Sequence, residues 1–208
     1  MQPWYEQLLT KWPDFIVTFV GVLIGAFLGL ITERLIAQWQ LSTERARQER
    51  SDREHLLAHL DRVKVELRDN EQYVAKLQED VLAHAPTANR VAQAEFFTWG
   101  AVLVDALSTA ANEDLVASGL HRKLSNDLQG DLFDARQATI GLRTMVKTAE
   151  RAIFFHQTVN QPDRARLTAE NCRTYAQTTF ETLKRVKKSA YDYANQLQKI
   201  VAKGSEKR

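Results

Sequence analysis

The sequence predicts an all-α protein: a single N-terminal transmembrane helix continues into a long helical stalk and an antiparallel cytoplasmic helical bundle of about four helices. Three observations predict this fold class. Residues 15–32 form an uncharged apolar run, the 208 residues include only eight glycines and four prolines, and apolar residues recur at heptad spacing from residue 56 onward. Heptad spacing of this kind is typical of packed helices.

The apolar run FIVTFVGVLIGAFLGLIT is eighteen residues long, so as a helix it would extend roughly 27 Å, close to the thickness of a bilayer's hydrocarbon core. Trp12 and Trp39 flank it, as expected for aromatic belts at the two headgroup levels. No basic n-region or small-residue cleavage site accompanies the run, which favours a stable anchor over a removed signal peptide. We therefore assign residues 15–39 to a transmembrane helix.

Gly21, Gly25 and Gly29 lie four residues apart within this helix and share one face. Small residues at this spacing let two transmembrane helices approach closely, which predicts a homo-oligomer. The alternative is that glycine is simply common in membrane helices.

Arginine and lysine near the span predict its orientation, because they are retained on the cytoplasmic side. Lys11 is alone on the N-terminal flank, whereas the C-terminal flank carries Arg34, Arg45, Arg47, Arg50 and Arg53. We expect a cell-membrane protein with its N-terminus outside and its C-terminal domain cytoplasmic. The layout is similar to that of many proteins of the bacterial inner membrane. Residues 1–14 are then a short amphipathic segment on the outer leaflet.

Residues 40–55 are predicted to form a charged helical stalk. From Ser42 to His55 the sequence holds acids and arginines in equal number and offers no apolar face, so ion pairs along a solvated helix are expected. The net charge of +2 and this balance of charges argue against a nucleic-acid partner.

Residues 56–203 are assigned to the cytoplasmic bundle. Its first helix has a seam of eight residues spaced four and three apart: Leu56, Leu60, Val63, Leu67, Asn70, Val74, Leu77 and Val81. Leu57 and Tyr73 broaden the apolar face, which favours a multi-helix bundle over a two-stranded coiled coil. Asn70 is expected either to fix the register or to reach a partner across the bundle.

Pro86 predicts the end of the first helix. The sequence leaves residues 91–104 open between a broken helix and a packed loop, with Phe96, Phe97 and Trp99 as core anchors. Asp105 is expected to cap a helix over residues 106–118, and Gly119 has the residue type that C-terminal caps prefer.

Two further long helices complete the predicted bundle. Ser125 is the expected N-cap of the first of them. Its seam is Leu128, Leu132, Ala135, Thr139, Leu142, Val146, Ala149 and Ile153. The last helix follows Pro162, with its buried side marked by Tyr175, Phe180, Leu183, Val186, Ala190, Tyr193, Leu197 and Ile200. Residues 204–208 are predicted to be a disordered tail.

The sequence contains no catalytic or cofactor motif among those we tested, so we expect a non-enzyme without catalytic, cofactor-binding or metal-binding residues. His55 and His59 are four apart on one helical face, but two imidazoles need a third ligand to form a zinc site. Cys172 is expected to be a packed residue.

Lys184, Arg185, Lys187 and Lys188 form a basic group in the last helix. These four side chains are a possible contact for anionic lipids, if that helix runs back toward the membrane. The alternative is an ordinary solvated helix face.

We therefore predict a membrane-anchored helical-bundle protein that self-associates in the lipid bilayer. It would scaffold or bind a still unknown protein partner at the cytoplasmic face. The alternative is an oligomeric membrane effector or pore-forming protein gated by its cytoplasmic bundle, which would be recognised by ion leakage from liposomes.

Overall fold

A computed structural model of the chain describes residues 4–158 and 161–205, with the side chains of residues 19–85, 87–89, 91–156 and 161–202. All regular structure in these ranges is helical, which confirms the predicted all-α class. The helices are α1 (Trp4–Lys76), α2 (Arg90–Asp105), α3 (Ala110–Ala117), α4 (Asn126–Thr158) and α5 (Pro162–Ser205). A π-helical segment, Leu77–Leu82, and two 3-10 turns, Ala85–Thr87 and Leu120–Lys123, lie between them.

The chain divides into two compact units, residues 1–51 and residues 52–208. The division falls four residues before the predicted end of the stalk at residue 55. Residues of the predicted outer-leaflet segment from Trp4 to Asp14 belong to α1, and their side chains lie outside the described residues.

The described part of α1 in the first unit exposes its apolar side chains. By length and composition this helix could cross a membrane, and none of its most apolar stretch is buried within the chain. The large exposed apolar residues are Phe19, Val20, Val22, Leu23, Ile24, Phe27, Leu28, Leu30, Ile31, Leu35, Ile36, Trp39 and Leu41. Among the described residues of the run, from Phe19 onward, none is buried in a core of the chain.

Both predicted heptad seams are confirmed. Every member of the seam from Leu56 to Val81 and every member of the seam from Leu128 to Ile153 is buried. The large apolar residues recur with the helical period, so burial of one stripe on each helix removes most of their apolar surface from water.

The buried side of α5 differs from the prediction in its first half and at Ile200 near its end. Leu183, Val186, Ala190 and Leu197 are buried as expected, but Ile200 is 50 % exposed. The seam instead begins with small residues that the sequence analysis did not select: Ala165, Ala169, Cys172, Ala176 and Thr179. Small side chains allow α4 and α5, which contact each other extensively, to pack closely.

Residues 91–104, left open by the sequence, belong to the single helix α2. Gly100 lets α2 pack closely on the π-helical segment, because a Cβ atom there would lie only 3.3 Å from both Leu77 Cδ1 and Val81 Cγ1. Phe97 is fully buried and Phe96 partly buried, whereas Trp99 is 50 % exposed and is not the core anchor that was predicted.

A helix lies within residues 106–118 as predicted, but its predicted start at residue 106 and Asp105 as its cap are wrong. Asp105 is the last residue of α2, and α3 begins only at Ala110, with Thr109 in the N-cap position. The prediction of Gly119 is confirmed, because this residue has a φ of 74° directly after α3, a conformation that favours glycine.

Ser125 is confirmed as the residue before α4, and its hydroxyl accepts a hydrogen bond from Leu128 N at 3.4 Å. Gly204 and Ser205 belong to α5, in contrast to the disordered tail predicted for 204–208, and residues 206–208 lie outside the described residues.

Side-chain contacts relate α5 to α1 and to the π-helical segment that follows α1, within the second unit. Gln78 Nε2 donates to Gln177 Oε1 at 3.0 Å, Glu71 pairs with Lys187, and the Lys64 ammonium lies 4.9 Å from the ring centroid of Tyr191. As residue numbers rise in α1, those of the contacting residues in α5 fall, so these two helices run in opposite directions.

Candidate functional site

The three glycines of the predicted association face lie on an open surface of α1. An added Cβ atom at Gly21, Gly25 or Gly29 would meet no other atom within 4 Å. The face is therefore sterically available to a second helix, and its use for association stays a prediction.

The predicted lipid-binding group is divided by its contacts. Arg185 Nη2 lies 3.3 Å from Asp134 Oδ2 and 3.6 Å from Asp131 Oδ1, and Lys187 pairs with Glu71. Lys184 and Lys188 are exposed, and in the described part of the chain neither forms an ion pair. Two of the four cations therefore stabilise contacts of α5 with α4 and α1, and two face solvent.

His55 is exposed and His59 is partly buried. Among the residues that the structure describes, no group of three or more His, Cys, Asp or Glu side chains is arranged to hold a metal ion.

Cys172 is only 1 % exposed, and burial raises the pKa of its thiol to about 12. A buried apolar environment disfavours the thiolate, which is the reactive form. Cys172 lines a groove of about 490 Å³ between α4 and α5. In the same groove the Tyr175 hydroxyl lies close over Gly141, and a Cβ atom added to Gly141 would lie only 2.0 Å from it.

The linker between α2 and α3 is held by two side chains of α1. Asn70 forms two hydrogen bonds with Ser108: its Nδ2 donates to the Ser108 carbonyl at 2.7 Å, and its Oδ1 accepts from Ser108 N at 2.9 Å. Glu66 accepts from Ser108 Oγ at 2.9 Å and from the amides of Ala111 at 2.8 Å and Asn112 at 3.3 Å. The Glu66 carboxylate thus satisfies amides of the first turn of α3, where an anion is favoured.

Helix α4 holds the same linker from the other side. Arg143 donates to the carbonyls of Val104, at 3.3 Å, and Leu107, and Asn112 Nδ2 donates to the Leu132 carbonyl at 2.8 Å. These bonds satisfy backbone groups at the end of α2 and fix α3 against α4. The polar Asn70 within an apolar seam is the one signal of this arrangement in the sequence, and nothing in the sequence indicates its partner.

Helices α3 and α4 enclose a groove of about 800 Å³. Its walls are the Val116 side of α3 and the Gly130 side of α4, and the 3-10 turn that joins these helices contributes His121. The lining residues are Asn112, Glu113, Leu115, Val116, Ala117, His121, Leu124, Gln129, Gly130, Leu132, Phe133 and Arg136. Sequence reasoning missed this groove.

An ion pair crosses one end of the groove. Arg136 Nη2 and Nε lie 3.1 Å and 3.3 Å from Glu113 Oε1. The pKa of the Glu113 carboxyl is lowered by the hydrogen bond from the Thr109 hydroxyl and by the Arg136 guanidinium. The two charges compensate each other, so the groove is an apolar recess with a neutral polar rim. Recesses of this volume and lining are typical of binding sites for apolar groups.

Neither a protein-family model, a curated protein nor a solved structure matches the chain. The geometry therefore defines only a class of protein: an all-helical chain with one long apolar N-terminal helix that could span a membrane, and a second helical unit that carries an open apolar groove.

Proposed function

We propose that the chain is a non-enzymatic, single-pass membrane protein that self-associates and scaffolds or binds a protein partner at the cytoplasmic face of the cell membrane. Residues 15–39 cross the bilayer, residues 40–55 form the stalk, and residues 56–203 form an antiparallel bundle of about four helices. The excess of arginine after the span supports a cytoplasmic position for that bundle.

One observation carries this proposal: the apolar side chains of α1 from Phe19 to Ile36 are exposed and have no core of their own to fill. Contact with water costs about 25 cal/mol for each Å² of apolar surface, so the eleven large exposed apolar residues of this stretch require another environment. The hydrocarbon core of a bilayer provides it over this length.

Self-association is supported by the open glycine face. Right-handed helix pairs in membranes pack through small residues four apart, because the absence of side chains brings the two backbones into van der Waals contact. Scaffolding is supported by the exposed apolar side chains of α2, Val91, Trp99 and Val102, which offer apolar surface to a partner.

The experiment is energy transfer between two labelled populations of the full chain in proteoliposomes. The triple variant Gly21→Ile, Gly25→Ile, Gly29→Ile should weaken association at least about tenfold, which corresponds to about 1.4 kcal/mol. The control Leu23→Ile, Leu30→Ile changes the opposite face and should leave association unchanged. Equal association in all three proteins would contradict the glycine face, and ion leakage from the same proteoliposomes would favour the oligomeric pore.

A crosslinking pull-down of the full chain from native membranes tests the partner. It should recover a second protein together with the chain, and recovery of the chain alone would contradict the scaffolding role.

A further inference from the structure

The groove between α3 and α4 has a large aromatic side chain at its own edge. Phe133 projects from α4 and is 58 % exposed, although it is one of the residues that line the groove. One helical turn earlier, Gly130 leaves open space, with no atom within 4 Å of a Cβ position. A projection and a recess therefore adjoin each other on one surface.

We propose that this groove receives Phe133 of a second copy of the chain, in a two-fold symmetric contact. The proposal rests on the self-association proposed above but assigns it a second interface, separate from the glycine face. A two-fold interface uses the same patch on both copies, so the patch must contain both a projecting group and the recess that receives it. Phe133 and the groove meet this requirement.

The charges of the groove fit a second copy. Glu113 and Arg136, the carboxylate and the guanidinium among the lining residues, are paired with each other within one chain. A symmetric contact therefore brings no uncompensated like charges together, which would otherwise cost free energy. Both side chains are partly exposed, at 52 % and 35 %, so they can remain hydrated at the rim of the contact.

The floor of the groove is suited to an aromatic ring. Leu115, Leu124 and Leu132 are buried residues that line it. A phenylalanine side chain buries about 150–250 Å² when it is enclosed. Two such rings bury less area than a stable dimer of free proteins needs. Two chains that already associate through their membrane helices hold their grooves close together. The effective concentration of the second surface is then high, so even a weak groove contact forms.

The test compares two variants of the full chain by energy transfer in proteoliposomes. Phe133→Ser should weaken self-association at least about tenfold, the loss expected for a buried aromatic anchor. The matched control is Phe155→Ser, because Phe155 lies on the same helix, is 59 % exposed and does not line the groove. It should change association less than about twofold. Equal association in both variants would overturn the proposal.

A third variant fills the recess and keeps the projecting ring. Gly130→Leu has free space at the Cβ position in the single chain, so it should not lower the melting temperature, while it should weaken association as strongly as Phe133→Ser. Unchanged association in Gly130→Leu would overturn the proposal even if Phe133→Ser failed to fold.

A photoreactive benzoylphenylalanine at position 133 identifies the occupant directly. The expected product is a chain dimer linked to residues 115–117 or 130 of the second chain. A link to lipid, a link to a different protein or the absence of a product would each contradict the proposal.

Combination with the glycine variant separates this proposal from the proposed function. If the glycine triple variant loses association and Phe133→Ser does not, the groove contact is wrong and the glycine face stands. If Phe133→Ser loses association and the glycine variant does not, the groove contact stands and the glycine face is wrong.

Discussion

Asn70 and Ser108 exchange two hydrogen bonds across 38 residues of sequence, with the side-chain amide of Asn70 paired to both backbone groups of Ser108. Asn70 is a buried position of the first seam, at 3 % exposure. A polar residue in an apolar seam is stable there because its partner lies in the same chain. The amide thus determines where the linker between α2 and α3 crosses α1.

Replacing Asn70 by Leu should destabilise the protein by about 2–3 kcal/mol, because the backbone N–H and carbonyl of Ser108 are partly buried and would lose their hydrogen-bond partners. Urea unfolding of the full chain in detergent, followed by circular dichroism, measures the change. Gln72→Leu, at an exposed position of the same helix, is the control and should change stability by less than about 0.5 kcal/mol. Equal stability of the two variants would contradict the importance of this pairing.

Two glycines that look alike in the sequence should respond oppositely to the same substitution. Gly100→Leu should destabilise the protein by about 1–3 kcal/mol or more, because Leu77 and Val81 already contact the glycine position. Gly130→Leu should stabilise it by about 0.5–1 kcal/mol, because leucine has the higher helix propensity and space is free. Thermal unfolding of the two variants gives the answer, and a loss of stability at both positions would show that α4 is covered near Gly130.

Cys172 should resist alkylation in the folded protein. Burial raises its pKa to about 12, so almost no thiolate exists near neutral pH. Iodoacetamide at pH 8 should modify Cys172 only after denaturation, and mass spectrometry detects the modification. The control is a cysteine introduced by Thr178→Cys at an exposed position of α5, which should react at once. Rapid reaction of Cys172 in native protein would contradict the packing of α4 against α5.

The same pKa predicts the direction of a pH effect. The unfolded chain releases the thiol proton near pH 9, whereas the folded chain keeps it up to about pH 12. The unfolded state binds fewer protons in this window, so stability falls as pH rises through it. Chemical unfolding at pH 8 and pH 10 should show a smaller fall for Cys172→Ala than for the unmodified chain.

The two exposed lysines of the basic group should account for any binding to anionic lipid. In a fragment of residues 52–208, Lys184→Gln with Lys188→Gln should weaken cosedimentation with phosphatidylserine vesicles, since each cation near such a surface contributes about 1 kcal/mol. Lys187→Gln should chiefly reduce stability, because it leaves Glu71 without its partner. Binding that is absent, or unchanged in the double variant, would contradict the lipid contact.

The long helices and their seams are predictable because large apolar side chains recur with the helical period. Leu56 to Val81 and Leu128 to Ile153 carry that signal and are buried as expected. The first half of α5 carries a weaker signal, since alanine, cysteine and threonine contrast little with polar neighbours. The buried stripe from Ala165 to Thr179 was missed for this reason.

Features that depend on distant residues could not be predicted. Asp105 resembles an N-cap locally, but Glu66 and Asn70 of α1 hold the linker after it and delay the start of α3 to Ala110. The groove of α3 and α4 depends likewise on how two helices diverge, which no single helix encodes. Trp99 is a large apolar residue of the kind found in cores, but it is half exposed because no helix of the described residues packs on its face of α2.

The central claim is that residues 15–39 cross a lipid bilayer, and alkaline carbonate extraction of membranes that contain the full chain tests it most directly. We predict that the chain remains in the membrane pellet, and that Ile24→Arg, a charge near the middle of the span, releases part of it. Recovery of the unmodified chain in the supernatant, monodisperse without detergent, would contradict the claim.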